Sequence, residues 1–313
     1  MSALRECTSD DEVKTLLHTI TQNGNTKLAW YNQRIYNMAE YRLRGWVPRE
    51  EMRFFHQSTA SPSYIFGVSC SPGHSVLIVV RTPPEGDSEE RLRESIPQLM
   101  SALVPTIGSS AITIFCLKAI SDLAISLTNA YFGGRYEVAF NPISNQYFYN
   151  EKQSEDSKTR ILLPLSPELY MDKIDARKDA AQLHAASPRG KFESVNAMEL
   201  RLARFPNVAI RKRSDGELVA WILGHEAGHF AQSYTLPEYR KMRLSEIYSN
   251  ALGAIYAKAD LAVISGIVHK RMNDKYKSII LDNNIMSVAL DDKGDEILFA
   301  GPVLTLRKDR AHL

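Results

Sequence analysis

The stretch of sequence that decides the fold runs from Ser214 to Leu252 and reads SDGELVAWILGHEAGHFAQSYTLPEYRKMRLSEIYSNAL. Its Asp-Gly pair separates two β-prone runs, residues 208–212 and 218–224, and such a pair between strands is a strong hairpin signal. Residues 229–239 predict a further strand. From residue 244 to 259 the apolar positions recur at helical spacing. The stretch therefore predicts three antiparallel strands followed by a helix.

On both sides of this stretch the sequence alternates between helical and β-prone segments, which predicts mixed α/β architecture. The predicted helices are residues 37–44, 89–103, 118–130, 176–186, 192–205 and 273–281. The predicted strands are residues 64–68, 75–81, 111–117, 135–140, 146–149, 261–268, 287–290 and 297–306.

One polar segment, NEKQSEDSKTR at residues 150–160, divides the chain near its middle. It has no apolar periodicity, so we interpret it as a linker or an exposed loop. A chain of 313 residues is long enough for two domains. We predict an N-terminal domain at residues 1–155 and a C-terminal domain at residues 156–313, and we find catalytic motifs in the second.

The composition is that of an ordinary globular protein, with 44% hydrophobic and 24% charged residues. A net charge of +2 gives no electrostatic reason to expect a nucleic-acid partner. The longest apolar run, residues 111–127, is interrupted by Lys118 and Asp122, so no membrane association is expected. The three cysteines match no disulfide or zinc spacing, and the acidic first residues are unlike a secretory or transit peptide. We expect a cytoplasmic protein.

The hexapeptide Thr235-Leu236-Pro237-Glu238-Tyr239-Arg240, with Trp221 ahead of it and Phe205-Pro206 at the end of the preceding helix, resembles the core segment of glycine N-acyltransferase-like proteins. These belong to the GCN5-related N-acetyltransferase (GNAT) superfamily. The resemblance implies tandem GNAT-like domains, each with a mixed, mostly antiparallel sheet flanked by helices. It also implies an N-terminal domain without the cofactor signature, and transfer of an acyl group from coenzyme A to glycine or another small amine.

The same resemblance places acyl-CoA, a co-substrate rather than a permanent cofactor, at the loop that opens the helix from Leu244. A helix N-terminus offers unpaired N–H groups to phosphate. At the fourth position of that loop this chain has Arg243 where the family has glycine, so the arginine either adds charge for the phosphates or blocks the site. The implied binding residues are Thr235, Leu236, Arg240, Lys241, Met242, Arg243, Leu244, Ser245 and Asn273, with backbone N–H groups near Thr235 and Leu236 polarising the thioester carbonyl.

His229 stands where the family has its proposed catalytic glutamate, just after the turn glycine. An imidazole with a pKa near 6.5 can take a proton from an ammonium group at neutral pH. We therefore propose His229 as the general base. The alternative is a strand histidine without a catalytic role. The resemblance also allows a mitochondrial location, although the sequence shows no transit peptide.

The segment His225-Glu226-Ala227-Gly228-His229 is also a literal H-E-x-x-H motif. On a helix the two histidines share a face and bind zinc, the glutamate activates water, and Glu246 would be a third ligand. That arrangement needs one helix across Gly224 and Gly228, each of which costs on the order of 1 kcal/mol. We therefore expect no metal here and keep a zinc peptidase as the alternative, beside a non-catalytic acyltransferase-like binding protein.

Overall fold

The computed structural model describes residues 3–22, 29–57, 64–81, 89–107, 111–268, 277, 281, 285–291 and 293–307. In the first half of the chain the elements are β1 (Leu4–Glu6), α1 (Asp10–Thr21), α2 (Gln33–Leu43), β2 (Met52–Gln57), β3 (Ile65–Ser69), β4 (Val76–Arg81), α3 (Glu89–Ile107), β5 (Ile112–Leu117), α4 (Lys118–Tyr131), β6 (Tyr136–Phe140) and β7 (Ile143–Phe148). The second half begins at α5 (Glu151–Lys158) and continues with β8 (Leu169–Asp172), α6 (Ala176–Ala186), α7 (Val195–Arg204), β9 (Asn207–Lys212), β10 (Leu218–Gly224), β11 (Phe230–Thr235), α8 (Leu244–Lys258), β12 (Ile264–Val268), β13 (Ser287–Val288), β14 (Leu298–Ala300) and β15 (Val303–Leu306).

The two halves repeat one order: a strand, two helices, three antiparallel strands, a helix and a parallel strand. In the first half the three antiparallel strands are β2, β3 and β4, and α3 leads to β5, which is parallel to β4. In the second half β9, β10 and β11 are antiparallel, and α8 leads to β12, which is parallel to β11. This confirms the predicted mixed, mostly antiparallel sheet with flanking helices.

The two halves form one sheet of order β1-β2-β3-β4-β5-β14-β7-β12-β11-β10-β9-β8, and their strands interleave only in its middle, at β5-β14-β7-β12. β7, from the first half, pairs with β12 and β14 of the second half, and β14 and β15 pair with β5. The chain continues directly from β7 into α5. The domain boundary near residue 155 remains a prediction. Strands from before and after that boundary are hydrogen-bonded to each other in the one sheet.

The core fills the space between the sheet and its helices. One apolar cluster joins α1 and α2 to the buried face of β9, β10 and α8, and a second lies between α3, α4 and strands β3 to β5. Trp221 on β10 is 1% exposed and packs with α6 and α7 residues in a third cluster. No helix among the described residues is both long and apolar enough to span a bilayer.

The segment at residues 150–160 is not a loop, so that prediction was wrong. It forms α5, with Asn150 as its N-cap: the Asn150 side chain accepts from the Gln153 N–H, and the Gln153 side chain accepts from the Asn150 N–H. Gln153 and Ser157 are buried, and α5 packs against α8. The residues that cap α5 and that lie on its buried face are polar, so the segment lacks the apolar periodicity from which a helix is predicted.

Candidate functional site

The free edge of β11 is the first feature of the candidate site. Among the described residues β11 and β12 share one register pair, Phe230 with Ser265, while β12 continues along β7 for its whole length. The two parallel strands therefore separate after Phe230. No described strand pairs with the edge of β11 over residues 231–235 on that side, so its backbone groups are available to a ligand.

A bulge in β11 lies beside this edge. The register with β10 shifts between Trp221 and Leu223, and Gln232 takes a left-handed backbone with φ of 52°. The Gln232 amide nitrogen donates to Ser187 Oγ at 3.1 Å. Its Oε1 is buried and has no hydrogen-bond partner among the described residues. A buried acceptor without a partner is uncommon, and this one would suit a ligand N–H.

The loop from β11 to α8 is the second feature. After a short 3-10 turn at Pro237–Tyr239, Lys241 and Arg243 both have left-handed backbones, with φ of 69° and 59°. Arg243 is the N-cap of α8, and no side chain in the described part of the chain caps that end of the helix. The N–H groups of Leu244 and Ser245 have no intrahelical acceptor, because the first turn of any helix lacks them. This terminus can therefore bind an anion.

Arg243 has a left-handed backbone, with φ of 59°, which glycine adopts without strain. Its guanidinium is turned onto Glu246, with Nε and Nη2 each within 3.0 Å of a carboxylate oxygen. The Arg243 side chain is 66% exposed, so this ion pair is screened and worth little. The backbone is compatible with the predicted phosphate loop, and the contribution of the arginine to phosphate binding stays a prediction.

The variant Arg243→Gly should therefore distinguish the effect of the Arg243 backbone on stability from the effect of its side chain on coenzyme A binding. A non-glycine residue in the left-handed region costs on the order of 1–2 kcal/mol, so the variant should be more stable by about 0.5–1 kcal/mol after the entropy cost of glycine. Its affinity for coenzyme A should fall about tenfold because the guanidinium is lost. Thermal unfolding and calorimetric titration measure the two effects.

The matched control for Arg243 is Arg240→Gly, three residues earlier. Arg240 has an ordinary φ of −68°, so glycine there should lower stability on the order of 0.5–1 kcal/mol. Tighter coenzyme A binding by Arg243→Gly would show instead that the arginine blocks the site.

The remaining predicted binding residues lie along the same path. Thr235 ends β11, and its carbonyl accepts from Arg240 Nε at 3.3 Å. The Leu236 N–H donates to Val219 O at 2.9 Å. It is therefore already bonded in this conformation and does not polarise a thioester, contrary to our expectation. Lys241 and Met242 are exposed. Asn273 and most of the helix predicted around it fall outside the described residues.

The H-E-x-x-H segment is the turn between β10 and β11. The His225 N–H donates to His229 O, and the Gly228 N–H donates to His225 O, each at 2.9 Å. Gly228 has φ of +75°, and a Cβ there would lie 2.5 Å from Arg34 O of α2. The helix that the zinc interpretation requires is not formed, and Glu246 is paired with Arg243. The turn that we predicted is confirmed.

His229 lies at the closed end of the gap between β11 and β12, one residue before Phe230. It is 8% exposed, its Nδ1 is 2.6 Å from Arg34 Nη1, and its ring packs on Phe115. Burial, with Arg34 and His225 adding to it, holds the pKa of His229 well below 6.5. The imidazole is neutral at pH 7 and is a weaker base than an exposed histidine. Its catalytic role stays a prediction.

Glu226, the second residue of the turn, belongs to a buried charge network centred on Arg201 of α7. Arg201 donates to Glu226 through Nε (2.8 Å) and Nη2 (2.7 Å), and to Glu193 through Nη1 (2.9 Å). His74, from the turn before β4, lies 2.8 Å from Glu226 Oε1 and 2.9 Å from Ala197 O. The network links the first half of the chain to the second.

His74, Glu193 and Glu226 bring three possible ligand atoms within 4.8 Å of one another. Arg201, which is fully buried, bonds both carboxylates. A guanidinium already supplies the positive charge that a metal ion would bring. Burial alone would raise the pKa of Glu226, but Arg201, with His225 and His74, holds it well below 4.5. We interpret the cluster as a structural ion network.

The buried histidines make stability sensitive to acid. Burial lowers the pKa of His225 to about 3 from 6.5, and the pKa of His229 is lowered too. Below pH 6.5 the unfolded chain takes up protons that the folded chain refuses, so the free energy of unfolding should fall. Each buried histidine lowers the free energy of unfolding by up to about 1.4 kcal/mol for each pH unit below 6.5. Urea midpoints measured between pH 7 and 5 test this.

His225→Asn should reduce the slope of stability against pH by about one proton, because it removes one titrating imidazole. Asparagine is chosen since its side chain can still accept the Ala227 N–H, which His225 Nδ1 accepts at 3.1 Å. A flat stability profile between pH 7 and 5 in the wild type would contradict the burial of neutral histidines. The carboxylates Glu193 and Glu226, whose pKa values are both lowered, add a further loss below about pH 4.5.

Sequence reasoning missed His74, Glu193, Arg201 and Arg34. His74 and Glu226 are 152 positions apart, and Arg34 and His229 are 195 apart. No local spacing relates them, because they meet only where the two halves of the sheet come together. The H-E-x-x-H motif marked the right turn but suggested the wrong partners for it.

The sequence matches no protein-family model and no curated protein. Solved structures share the fold, among them the following three. An X-ray structure of a Drosophila protein has a TM-score of 0.71 at 14% identity, over 98% of this chain and 99% of that chain. A tandem GNAT protein from the clavulanic acid biosynthesis pathway has a TM-score of 0.50 at 10% identity, over 96% and 98%. A Pyrococcus horikoshii protein described as a candidate acetyltransferase has a TM-score of 0.50 at 9% identity, over 98% and 91%. The fold is therefore that of tandem GNAT proteins.

Proposed function

We propose that this chain is an acyl-CoA-dependent N-acyltransferase that acts on glycine or another small amine. The observation that carries the proposal is the separation of β11 from β12 after Phe230, beside the uncapped N-terminus of α8. A strand edge and a helix N-terminus together match the two chemistries of coenzyme A, its amide-bearing arm and its phosphates. The fold shared with tandem GNAT proteins agrees with this.

In the proposed complex the pantetheine arm lies along residues 231–235 and bonds the free backbone edge. The phosphates lie at the N–H groups of Leu244 and Ser245, where the positive end of the α8 dipole favours them. Lys241 and Arg243 add positive charge. The thioester then points toward the closed end of the gap, where Phe230 still pairs with β12 and where His229 lies.

The proposed reaction is direct transfer. The acceptor ammonium loses a proton to Nδ1 of His229, directly or through a water molecule, once that nitrogen no longer accepts from Arg34. The free amine attacks the thioester carbonyl carbon and the carbon–sulfur bond breaks. The nitrogen loses its second proton to become an amide, and the leaving thiolate takes up that proton. A backbone N–H of residues 231–235 replaces Leu236 as the group that polarises the carbonyl. We also propose a cytoplasmic location, in keeping with three free cysteines.

A second candidate is a non-catalytic relative that binds acyl-CoA without transferring the acyl group. The low pKa of His229, caused first by its burial, favours this alternative because a weakly basic group is a poor proton acceptor.

A thiol-release screen of acyl-CoAs against amino acids and simple amines tests the first proposal and separates it from the second. We expect release that requires both substrates and yields an N-acyl product by mass spectrometry. Acyl-CoA binding without amine-dependent release would support the non-catalytic protein, and no binding of any acyl-CoA would remove both candidates.

A further inference from the structure

The loop between α6 and α7 is hydrogen-bonded to the bulge of β11. Ser187, the first residue after α6, accepts at its Oγ from the Gln232 side chain at 3.1 Å and from the Arg189 N–H at 3.2 Å. One hydroxyl therefore connects β11, at its open edge, with a loop that carries an arginine. That arginine was not among the site residues predicted from the sequence.

The Arg189 guanidinium has no carboxylate partner among the described residues. Its Nη2 donates to Gly301 O at 3.1 Å, and the group lies over the Phe115 ring, 4.9 Å from the centroid. Neither contact supplies a negative charge. Burial lowers the pKa of Arg189 to about 10, so it remains cationic at pH 7. The residue is partly exposed, and a ligand can therefore reach it.

The charges around Arg189 do not balance. The charged side chains that act most strongly on His225 and His229 are three guanidinium groups and two carboxylates: Arg34, Arg189, Arg201, Glu193 and Glu226. Arg201 already bonds both carboxylates. One positive charge is therefore left in excess at a largely buried place. This is costly, and an anionic ligand would reduce the cost.

Gln232 has the opposite deficiency, an acceptor without a donor. Its amide nitrogen is used by Ser187, whereas its buried Oε1 has no hydrogen-bond partner among the described residues. The left-handed backbone of Gln232, with φ of 52°, is one that favours glycine. Such strain is often retained where a side chain serves a site. A ligand N–H at Oε1 would satisfy this acceptor.

We propose that Arg189 and Gln232 determine the acceptor specificity by selecting an amine that also carries a carboxylate. The carboxylate pairs with the planar fork of Arg189, and the ammonium donates to Gln232 Oε1. His229 packs on the same Phe115 ring as Arg189, with 5.3 Å between the ring centroids, so an acceptor held by Arg189 lies near the proposed base. This inference rests on the proposed function and narrows its acceptors to amino carboxylates.

Rates of thiol release with glycine and with glycinamide test the proposal, because glycinamide has a neutral amide in place of the carboxylate. The ratio of kcat/KM for glycine to that for glycinamide should be on the order of ten- to hundredfold lower in Arg189→Met than in the wild type. The change should lie mainly in the KM for glycine, as for an interaction made before the transition state. A merely structural defect would slow both amines equally and leave the ratio unchanged.

Three further variants make this result specific. Lys191→Met is the matched control, because Lys191 is an exposed cation of the same loop that lies over the Phe192 ring, and it should keep the wild-type ratio. Arg189→Lys retains the charge without the fork and should give an intermediate ratio. Gln232→Leu should lower kcat/KM about tenfold for both amines, since both donate from an ammonium group.

Thermal unfolding with N-acetylglycine, the product of acetyl transfer to glycine, tests the same site without turnover. We expect a saturable rise in Tm for the wild type, a ten- to hundredfold weaker affinity in Arg189→Met, and no comparable rise with N-acetylglycinamide. If this pattern is found in the absence of acyl transfer, the proposed function fails and the carboxylate site stands.

An equal ratio of glycine to glycinamide in the wild type and Arg189→Met would overturn the specificity proposal while leaving the acyltransferase in place. Absence of both acyl transfer and N-acetylglycine binding would overturn both. If Arg189→Met does not fold, Arg189→Lys takes its place, and a wild-type ratio in that variant contradicts the role of the guanidinium fork.

Discussion

Arg201→Met should lower the free energy of unfolding by about 3–5 kcal/mol, because it leaves two buried carboxylates without their counter-charge. Glu226 and Glu193 both depend on this guanidinium, and Arg201 is fully buried, as are its partners' side chains to within 4% exposure. Urea unfolding at pH 7 gives the measurement. The loss should shrink as the pH is lowered toward 5, since burial raises the pKa of carboxyl groups that have lost Arg201 and protonation relieves their repulsion.

Arg93→Met is the matched control for this variant. Arg93 pairs with Glu89 on the surface of α3, where both side chains are more than half exposed, so the change should cost less than about 1 kcal/mol. A cost for Arg201→Met as small as that of Arg93→Met would mean that the network is open to water and does not connect the two halves.

His229→Ala should slow acyl transfer by about 10²–10⁴-fold, the usual contribution of a positioned general base, with little change in coenzyme A affinity. The structure changes the expected pH profile. An unperturbed imidazole would place the acidic limb near pH 6–7, but burial and Arg34 lower the pKa of His229, so the limb should move to lower pH. Initial rates of thiol release between pH 5 and 8 measure both effects.

His225→Asn is the matched control, since His225 belongs to the same turn and its ring lies 5.0 Å from that of His229. It should retain the wild-type rate within a few-fold. His229→Glu should recover part of the activity, because a carboxylate at this position can also accept a proton. If His229→Ala has full activity and an unaltered pH profile, His229 is a structural residue that bonds Arg34.

The sequence predicted the second half well because its local signals agree. The predicted limits of α6 and β10 coincide with the observed ones, and the Asp215-Gly216 hairpin is formed, with Gly216 at φ of 72°. Gly224 and Gly228, in and beside the H-E-x-x-H segment, correctly indicated a turn instead of a helix. Gly228 is required there by close contact with Arg34 of α2, a contact between distant segments that local pattern could not reveal.

What the sequence did not predict depends on contacts between the halves. The short strands β1, β2 and β8 were also missed, although they pair within their own halves. The pairing of β7 with β12 and of β14 with β5 joins residues more than 100 positions apart. For the same reason the depressed pKa of His229 was not foreseen, because it arises from burial and from Arg34. Local sequence identified the turn and the loop of the candidate site, whereas its electrostatics are set by the packing of the first half against the second.

Titration of coenzyme A into the wild type, Ser245→Glu and Ser245→Gln tests the location of the acyl-CoA site most directly. Ser245 is exposed in the first turn of α8, where either side chain is compatible with the helix and a carboxylate favours it. The account predicts that the wild type and Ser245→Gln bind coenzyme A with similar affinity, and that Ser245→Glu binds at least about tenfold more weakly because its charge repels the phosphates. Equal affinity of the two variants, or no binding by the wild type, would contradict it.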